Sequence, residues 1–366
     1  MISTTIFPGR YVQGENAVKK LGNELKRFGN KAFIIVDGFV YESLLSSFVE
    51  DINSEIENEV LVFKGECSDE EIERLYKQAS AGGFDIITGI GGGKTLDTAK
   101  AVAYRMKKPV AVVPTIASTD APCSALSVIY TESGEFKRYL FLPKNPDIVL
   151  LDSKIIAKAP SRFLISGMGD ALATWFEAES CKNSYAANMT GNTGSMTAYA
   201  IAKLCYDTLL DYGELALSSV EAKVVTPALE RIIEANTLLS GIGFESGGLA
   251  ASHAIHNGFT VLEETHKYFH GEKVAFGTLA SLFLTDKDEY VIDEVYSFCE
   301  AIGLPTTLEA IGLKNVTDDQ LMKVAEGSCS EGETIFNEAI EITPERVFAA
   351  LKAADSEGRK RKNKNS

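Results

Sequence analysis

The first 155 residues alternate short apolar, β-branched runs with amphipathic segments, and no other feature limits the fold as much. KAFIIVDG (31–38) has the composition of a buried strand and follows a segment with apolar residues at helical spacing. The same character recurs in ENEVLVFKG, FDIITGIGGG, KPVAVVPT and DIVLLD, and SALSVIYTESGEFKRYLFL predicts a hairpin that turns at Ser133-Gly134. This alternation is typical of a mostly parallel sheet with helices on both faces. We therefore expect a Rossmann-like α/β domain over residues 1–158.

The remainder of the chain has a different pattern. Stretches such as SGMGDALATWFEAES and AKVVTPALERIIEANTLLSGIG have helical periodicity, and the β-rich runs disappear. A chain of 366 residues is also long enough for two cores. We expect an all-α domain over residues 159–366, with the basic tail GRKRKNKNS (358–366) disordered.

Charge and composition exclude several classes of function. With 51 acidic and 36 basic residues the net charge is −15, which disfavours binding to nucleic acid or to an anionic membrane surface. The sequence has no signal-peptide pattern and no apolar run long enough for a membrane span, so we expect a cytoplasmic protein. The six cysteines are scattered without a metal-binding spacing and are predicted to be reduced structural thiols.

The stretch DIITGIGGGKTLDTAK (85–100) predicts a phosphate site. An apolar strand runs into Gly91, Gly92 and Gly93 and then into a helix, which would bring bare backbone N–H groups and a helix N-terminus to a pyrophosphate. A tight strand-to-helix turn also requires glycine, so the triplet alone is weak evidence. The spacing of a Walker A loop is absent, which argues against nucleotide hydrolysis.

Asp37, at the end of the strand FIIVD, is a candidate for the adenosine ribose. A carboxylate there would accept hydrogen bonds from the ribose hydroxyls and repel a 2′-phosphate, which favours NAD over NADP. The alternative is that Asp37 only caps a turn or helix.

All four histidines of the chain lie within HAIHNGFTVLEETHKYFH (253–270). His253 and His256 would share one face of a helix, and His270 could return from the next helix, whereas His266 sits in a polar, exposed loop. A catalytic zinc usually has three protein ligands and one open position. Asp170 is the strongest third candidate because it is an acid among small and apolar residues, although Glu177 and Glu179 compete with it on chemistry alone.

Five motifs, in order, resemble the iron-containing (group III) alcohol dehydrogenase superfamily and in particular its glycerol dehydrogenase branch. They are GGGKTLDTAK, PTIASTDAPCSALSVIYT, GMGDALATWFEAE, GFESGGLAASHAIHNG and HGEKVAFG, and the likeness extends to about residue 355. The resemblance implies an N-terminal dinucleotide-binding domain, a helical metal domain and an active site in the cleft between them. It also suggests a ring-like homo-octamer.

The same resemblance implies roles for individual residues. Asp170, His253 and His270 correspond to the metal ligands, and Asp120 to the residue beside the glycerol. The NAD-contacting positions correspond to Asp37, Gly93, Lys94, Asp97, Thr115, Ser118, Ser124, Leu126 and Tyr130. His256, one turn from a ligand, is either a proton relay or a packing residue.

One position departs from the pattern of the iron-dependent members. They have a histidine four residues after the metal-binding aspartate, where this chain has Thr174. An Asp-His-His set favours one zinc ion per subunit.

The activity implied is the NAD-linked oxidation of glycerol to dihydroxyacetone, with related vicinal diols as further substrates. Glycerol-1-phosphate dehydrogenase and dehydroquinate synthase are the alternatives, but their anionic substrates call for clustered lysines and arginines, which the site motifs lack.

Overall fold

The computed structural model describes residues 2–365, which divide into two compact units. The first unit comprises Ile6–Pro160 together with Ser219–Leu238, and the second comprises the N-terminal segment up to Thr5, Ser161–Ser218 and the chain from Leu239 onward. The predicted boundary at 158/159 lies close to the change at Pro160. The prediction of two continuous domains is wrong, however, because Ser219–Leu238 returns to the first unit.

The first unit contains every named strand among residues 2–365. The strands are β1 (Tyr11–Gly14), β2 (Lys31–Val36), β3 (Glu57–Val62), β4 (Ile86–Gly91), β5 (Val110–Pro114), β6 (Leu126–Tyr130), β7 (Phe136–Phe141) and β8 (Ile148–Asp152). Six of them form one sheet in the order β1-β8-β5-β4-β2-β3, and each of its five pairings is parallel. The expected mostly parallel sheet is confirmed. The short, half-buried strand β1 was not predicted.

Helices cover both faces of this sheet. They are α1 (Leu21–Leu25), α2 (Gly38–Ser43), α3 (Val49–Asn53), α4 (Asp69–Ala81), α5 (Gly93–Met106) and α6 (Ser153–Lys158). One face of β4 packs in a core with Leu21 of α1 and Ile52 of α3. On the other face Gly89 lies against Ala99 of α5, so closely that an added Cβ would be 2.6 Å from the Ala99 Cβ. Burial on both faces explains the continuous apolar runs of these strands.

Strands β6 and β7 form the expected antiparallel hairpin, separate from the large sheet. Its turn contains Gly134 at φ +85°, a conformation that glycine adopts without strain. The ammonium of Lys100 on α5 holds the base of the hairpin by donating hydrogen bonds to the carbonyl oxygens of Ala121, Ser124 and Leu126.

The rest of the described chain is helical, as predicted. The helices are α7 (Ser161–Ser184), α8 (Met196–Glu221), α9 (Pro227–Glu234), α10 (Ser240–Gly247), α11 (Ala251–Phe259), α12 (His270–Leu284), α13 (Glu289–Ile302), α14 (Asp318–Ser328) and α15 (Pro344–Asn365). The start of α12 approaches α7 closely at Gly271, where an added Cβ would lie 1.8 Å from the Ser166 carbonyl oxygen. This contact brings the first residue of α12 beside the middle of α7.

The expected disorder of residues 358–366 is wrong for the part that the structure describes. Helix α15 continues to Asn365, and Arg361 forms ion pairs with Asp293 and Glu300 of α13. These ion pairs hold the basic end of α15 against α13; Ser366 lies outside the described residues. Among residues 2–365, no helix is both long and apolar enough to cross a membrane. The six cysteines are free thiols, as expected.

Candidate metal centre and cofactor-binding edge

Three helices of the second unit bring Asp170, His253 and His270 together. Asp170 lies in the middle of α7, His253 in the first turn of α11, and His270 is the first residue of α12. The Nε2 atoms of His253 and His270 lie 3.3 and 3.1 Å from Oδ1 of Asp170. The three potential ligand atoms are all within 4.8 Å of one another. Two imidazoles and one carboxylate at this separation are a donor set that could hold a metal ion and leave a position open.

The chemistry of Asp170 supports a cation at this point. Its carboxylate is fully buried, and a buried anion requires a positive partner. Burial by itself would raise the pKa of Asp170, but the adjacent imidazoles of His270 and His253 outweigh it and hold the pKa well below its usual range. The site remains open on one side, because the His270 side chain is 38% exposed. The residues therefore fit a metal ion that a small substrate can approach.

Each imidazole of the candidate metal site uses its other nitrogen in a hydrogen bond. Nδ1 of His253 lies 2.6 Å from Oε2 of Glu177. Burial would lower the pKa of His253, but the carboxylates of Glu177 and Asp170 raise it well above its usual value. Glu177, an alternative ligand on chemistry alone, contacts Nδ1 of the candidate ligand His253, whereas Nε2 faces Asp170. Glu179 pairs with Lys287 and lies outside the cluster.

His270 is supported through a longer chain of hydrogen bonds. Its Nδ1 lies 3.1 Å from Nε2 of His256, and Nδ1 of His256 lies 3.1 Å from Oδ1 of Asn257. The Asn257 amide then donates to Glu333. Burial and the neighbouring His270 lower the pKa of His256 well below its usual value, which favours the neutral ring. His256 thus lies behind a predicted ligand; the proton relay stays a prediction.

The remaining histidine behaves as expected. His266 is exposed at the end of a short 3₁₀ helix, and its Nε2 contacts the Thr260 carbonyl oxygen at 2.9 Å. It is not part of the ligand cluster.

The residues assigned to NAD surround the carboxyl ends of three adjacent parallel strands. Asp37 follows β2, Gly91 ends β4 and leads through Gly92 into Gly93 at the start of α5, and Thr115 and Ser118 follow β5. Ser124, Leu126 and Tyr130 lie at the start of the hairpin and along β6, while Lys94 and Asp97 lie on α5. In open parallel sheets this edge is where nucleotides bind.

The glycine triplet has the geometry expected of a phosphate cradle. Gly91 has φ +153°, and an added Cβ there would be 2.7 Å from the Asp37 Cβ, so a larger residue would displace Asp37. None of the described atoms outside the local backbone lies within 4 Å of the position that an added Cβ at Gly93 would occupy. The N-terminus of α5 therefore presents its backbone to an accessible region, which fits a pyrophosphate.

Asp37 lies beside the glycine triplet and caps a helix. It follows β2 beside Gly91, and its Oδ1 also caps α2 by accepting hydrogen bonds from the N–H groups of Phe39 and Val40. The cap is therefore observed, while contact with the ribose stays a prediction.

Two polar side chains at this edge have partners that the sequence did not identify. Asp97 forms a buried ion pair with Lys100 at 2.9 Å, and its Oδ2 accepts the N–H of Val128. Lys94 pairs with Glu66 and lies over the Tyr130 ring, 5.1 Å from its centroid. The spacing of Asp97 and Lys100 on one helix face was the available signal for the first pair. Asp120, the predicted substrate neighbour, is buried after β5 at the start of a 3₁₀ turn.

Comparison with known proteins identifies the family. Residues 8–153 match the model for iron-containing alcohol dehydrogenase. The glycerol dehydrogenase of Thermotoga maritima is 68% identical over 363 residues, which cover 99% of this chain and 100% of that relative. This chain belongs to the glycerol dehydrogenase family. The crystal structure of glycerol dehydrogenase from Schizosaccharomyces pombe has a TM-score of 0.95 at 40% identity, and the match covers 100% of this chain and 93% of that one.

The family resemblance inferred from the five motifs is thus confirmed. In this member of the glycerol dehydrogenase family, the three candidate ligands all belong to the helical unit, and all of the residues assigned to NAD belong to the sheet-containing unit. The role of each residue toward metal, cofactor or substrate stays a prediction.

Proposed function

We propose that this protein oxidises glycerol to dihydroxyacetone with NAD, using one zinc ion per subunit bound by Asp170, His253 and His270. The main support for this proposal is that one fully buried carboxylate and two imidazoles lie together in a partly open cluster. The names of the relatives support the substrate: the proteins from Thermotoga maritima and Citrobacter freundii, 68% and 52% identical, are glycerol dehydrogenases. Related vicinal diols are expected to react as well.

The chain's own groups have distinct tasks in this reaction. Zinc bound here would supply Lewis acidity that makes loss of an alcohol proton feasible near neutral pH, and bound NAD would supply the hydride acceptor. Asp170 provides the negative charge that retains a dication in a buried site. Gly91–Gly93 and the N-terminus of α5 would bind the pyrophosphate, Asp37 the ribose, and Asp120 a substrate hydroxyl. The alcohol thereby loses one proton and one hydride, which yields the ketone, NADH and a proton.

The surroundings of the site disfavour anionic substrates. Lys273, in the first turn of α12, is 7% exposed, and burial lowers its pKa. Lys94 at the cofactor edge is already paired with Glu66. Neither lysine forms the convergent clamp that a phosphate or dicarboxylate requires. These contacts favour a neutral polyol over glycerol 1-phosphate or a dehydroquinate-type precursor.

The test is a spectrophotometric assay of NADH formation with purified protein. Glycerol, 1,2-propanediol and 2,3-butanediol should be oxidised faster than ethanol, and glycerol 1-phosphate should not react. Treatment with a chelator should abolish the activity, and Zn²⁺ should restore it better than Fe²⁺ or Mn²⁺. Full activity in protein shown to be metal-free, or a preference for the phosphorylated substrate, would overturn the proposal.

We also propose a cytoplasmic homo-octamer, on the strength of the family resemblance. Light scattering of the protein eluting from a size-exclusion column measures the subunit number directly.

A further inference from the structure

Glu177 is a buried carboxylate that the proposed chemistry does not use. It lies on α7 seven residues after Asp170, which places both acids on the same helix face two turns apart. Its side chain is 1% exposed. A carboxylate so deeply buried requires hydrogen-bond donors around it, and the identity of those donors indicates its role.

Three nitrogen atoms from the first turn of α11 and the residue before it contact the Glu177 carboxylate. Oε1 accepts the backbone N–H of Ala250 at 2.9 Å and that of His253 at 2.9 Å. Oε2 lies 2.6 Å from Nδ1 of the His253 ring. One carboxylate therefore stabilises the positive end of α11 and contacts the ring of a predicted metal ligand.

The ring contact decides which nitrogen of His253 can bind a metal. An ionised carboxylate only accepts hydrogen bonds, so Nδ1 must carry the hydrogen. In the neutral imidazole, Nε2 is then left with its lone pair. Nε2 is the atom that faces Asp170, at 3.3 Å from Oδ1. The hydrogen bond thus selects the tautomer with the correct nitrogen toward the cluster.

We propose that Glu177 is a positioning residue for the metal: it fixes the tautomer and the orientation of His253 and anchors the start of α11 at the same time. This inference rests on the proposed metal site. It predicts that loss of the Glu177 carboxylate weakens metal binding even when α11 is still formed. A residue that only capped the helix would not have this effect. Partners of this kind commonly change metal affinity by about 10- to 100-fold.

Glu338 provides a matched control at the same helix end. Its Oε1 accepts the N–H of Ala251 at 3.0 Å, and the residue is 7% exposed. Both acids therefore stabilise the start of α11 from a buried position. Glu338, however, has hydrogen bonds with Ser180 and the Ala251 amide, whereas Glu177 contacts the His253 imidazole. A purely structural role would make the two acids equivalent.

The experiment compares the metal affinity of Glu177→Gln and Glu338→Gln. Glutamine can still accept backbone N–H bonds, but its amide can donate to Nδ1 of His253 and so stabilise the tautomer with hydrogen on Nε2. Wild type and both variants are stripped of metal, checked by circular dichroism, and titrated with Zn²⁺ against a chromophoric chelator. Co²⁺ absorption provides a second readout of ligand geometry. We expect Kd for Zn²⁺ to rise about 10- to 100-fold in Glu177→Gln and to stay at the wild-type value in Glu338→Gln.

A third variant keeps the inference testable if Glu177→Gln does not fold. Glu177→Asp retains an acceptor-only group, so this variant should bind Zn²⁺ more tightly than Glu177→Gln. If Glu177→Gln does not fold, Glu177→Asp should still fold and should bind Zn²⁺ more weakly than wild type. Wild-type affinity in a folded Glu177→Gln protein, or equal losses in Glu177→Gln and Glu338→Gln, would overturn the positioning role. A wild-type protein that binds no metal would instead overturn the proposed function.

Discussion

Thr174 shows how one residue changes the ligand count. It lies one helical turn after Asp170, where iron-dependent members of the superfamily have a histidine, and its hydroxyl lies 2.8 Å from the Ser240 hydroxyl. The side chain is thus used in helix packing. With no imidazole at this position, the cluster has the three candidate ligands Asp170, His253 and His270, which suits a metal that keeps a position open for substrate.

A comparison of His270 with His266 tests whether metal binding depends on the candidate ligands or on any histidine of this segment. Replacing His270 with alanine should abolish both metal content and turnover, because it removes one of three ligands. His266→Ala should leave both unchanged, since that side chain is exposed and its ring lies against the Thr260 carbonyl oxygen, outside the candidate ligand cluster. Metal analysis and kcat of the two purified variants check this. Similar losses in both would show that the ligand set is misassigned.

Asp37→Ser tests cofactor choice with little disturbance of the fold. Serine is also a good helix N-cap, so α2 should persist and Tm should change little. Loss of the carboxylate should raise KM for NAD and narrow the preference for NAD over NADP, because repulsion of a 2′-phosphate disappears. The measurement is kcat/KM for both cofactors at saturating glycerol. An unchanged ratio would mean that Asp37 acts only as the cap.

At the scale of elements, Lys100 connects α5 to the hairpin. Its side chain is fully buried, pairs with Asp97 and donates to three carbonyl oxygens beside residues assigned to NAD. A buried ion pair is weak evidence of stability by itself, but removal of one partner leaves the other charge uncompensated.

Lys100→Met should therefore destabilise the protein by about 3–5 kcal/mol and raise KM for NAD. The exposed pair of Lys77 with Glu73 provides the control, because Lys77→Met should leave the free energy of unfolding nearly unchanged. Denaturant titrations of both variants measure the difference. Equal effects would show that Lys100 does not anchor the hairpin.

The start of α11 should make stability depend on pH. Burial raises the pKa of Glu338 to about 7, although hydrogen bonds from Ser180 and the Ala251 amide oppose it. At pH values between the ordinary pKa of a glutamate and about 7, Glu338 is deprotonated in the unfolded chain but keeps its proton in the folded chain. Stability must therefore fall as pH rises through this window, by up to about 3 kcal/mol.

Glu338→Gln removes this titration. In metal-free protein, the free energy of unfolding of wild type should fall more between pH 5 and pH 8 than that of the variant, by about 2–3 kcal/mol. Denaturant unfolding at the two pH values provides the comparison. Parallel pH profiles would show that Glu338 is ionised in the folded protein at neutral pH.

The elements differ in how well the sequence predicts them. Buried strands such as β4 and β5 are apolar over their full length, so composition alone identifies them. The strand β1 is only four half-buried residues and resembles a loop. The end of α15 has the composition of a solvated tail, and its helix depends on Arg361 reaching α13, which local pattern cannot reveal. The role of Glu177 depends likewise on a contact 76 positions away.

At the scale of the whole molecule, the candidate ligands belong to one unit only. A metal bound solely to the folded state stabilises it by about 2.7 kcal/mol at a concentration 100 times Kd. Chelation should therefore accelerate amide exchange in α11 and at the start of α12, with β2, β4 and β5 unaffected. Hydrogen exchange with and without chelator tests this. Uniform acceleration in both units would contradict it.

The return of Ser219–Leu238 to the first unit has a consequence for synthesis of the chain. Gln13 on β1 and Ser153 on α6 both hydrogen-bond to Glu230 on α9. A nascent chain that has just passed Pro160 therefore lacks a partner for these groups. At roughly 5–20 residues per second, several seconds pass before that partner leaves the ribosome. During this interval α7 and most of α8 have already emerged, so the N-terminal unit cannot finish folding before much of its neighbour exists.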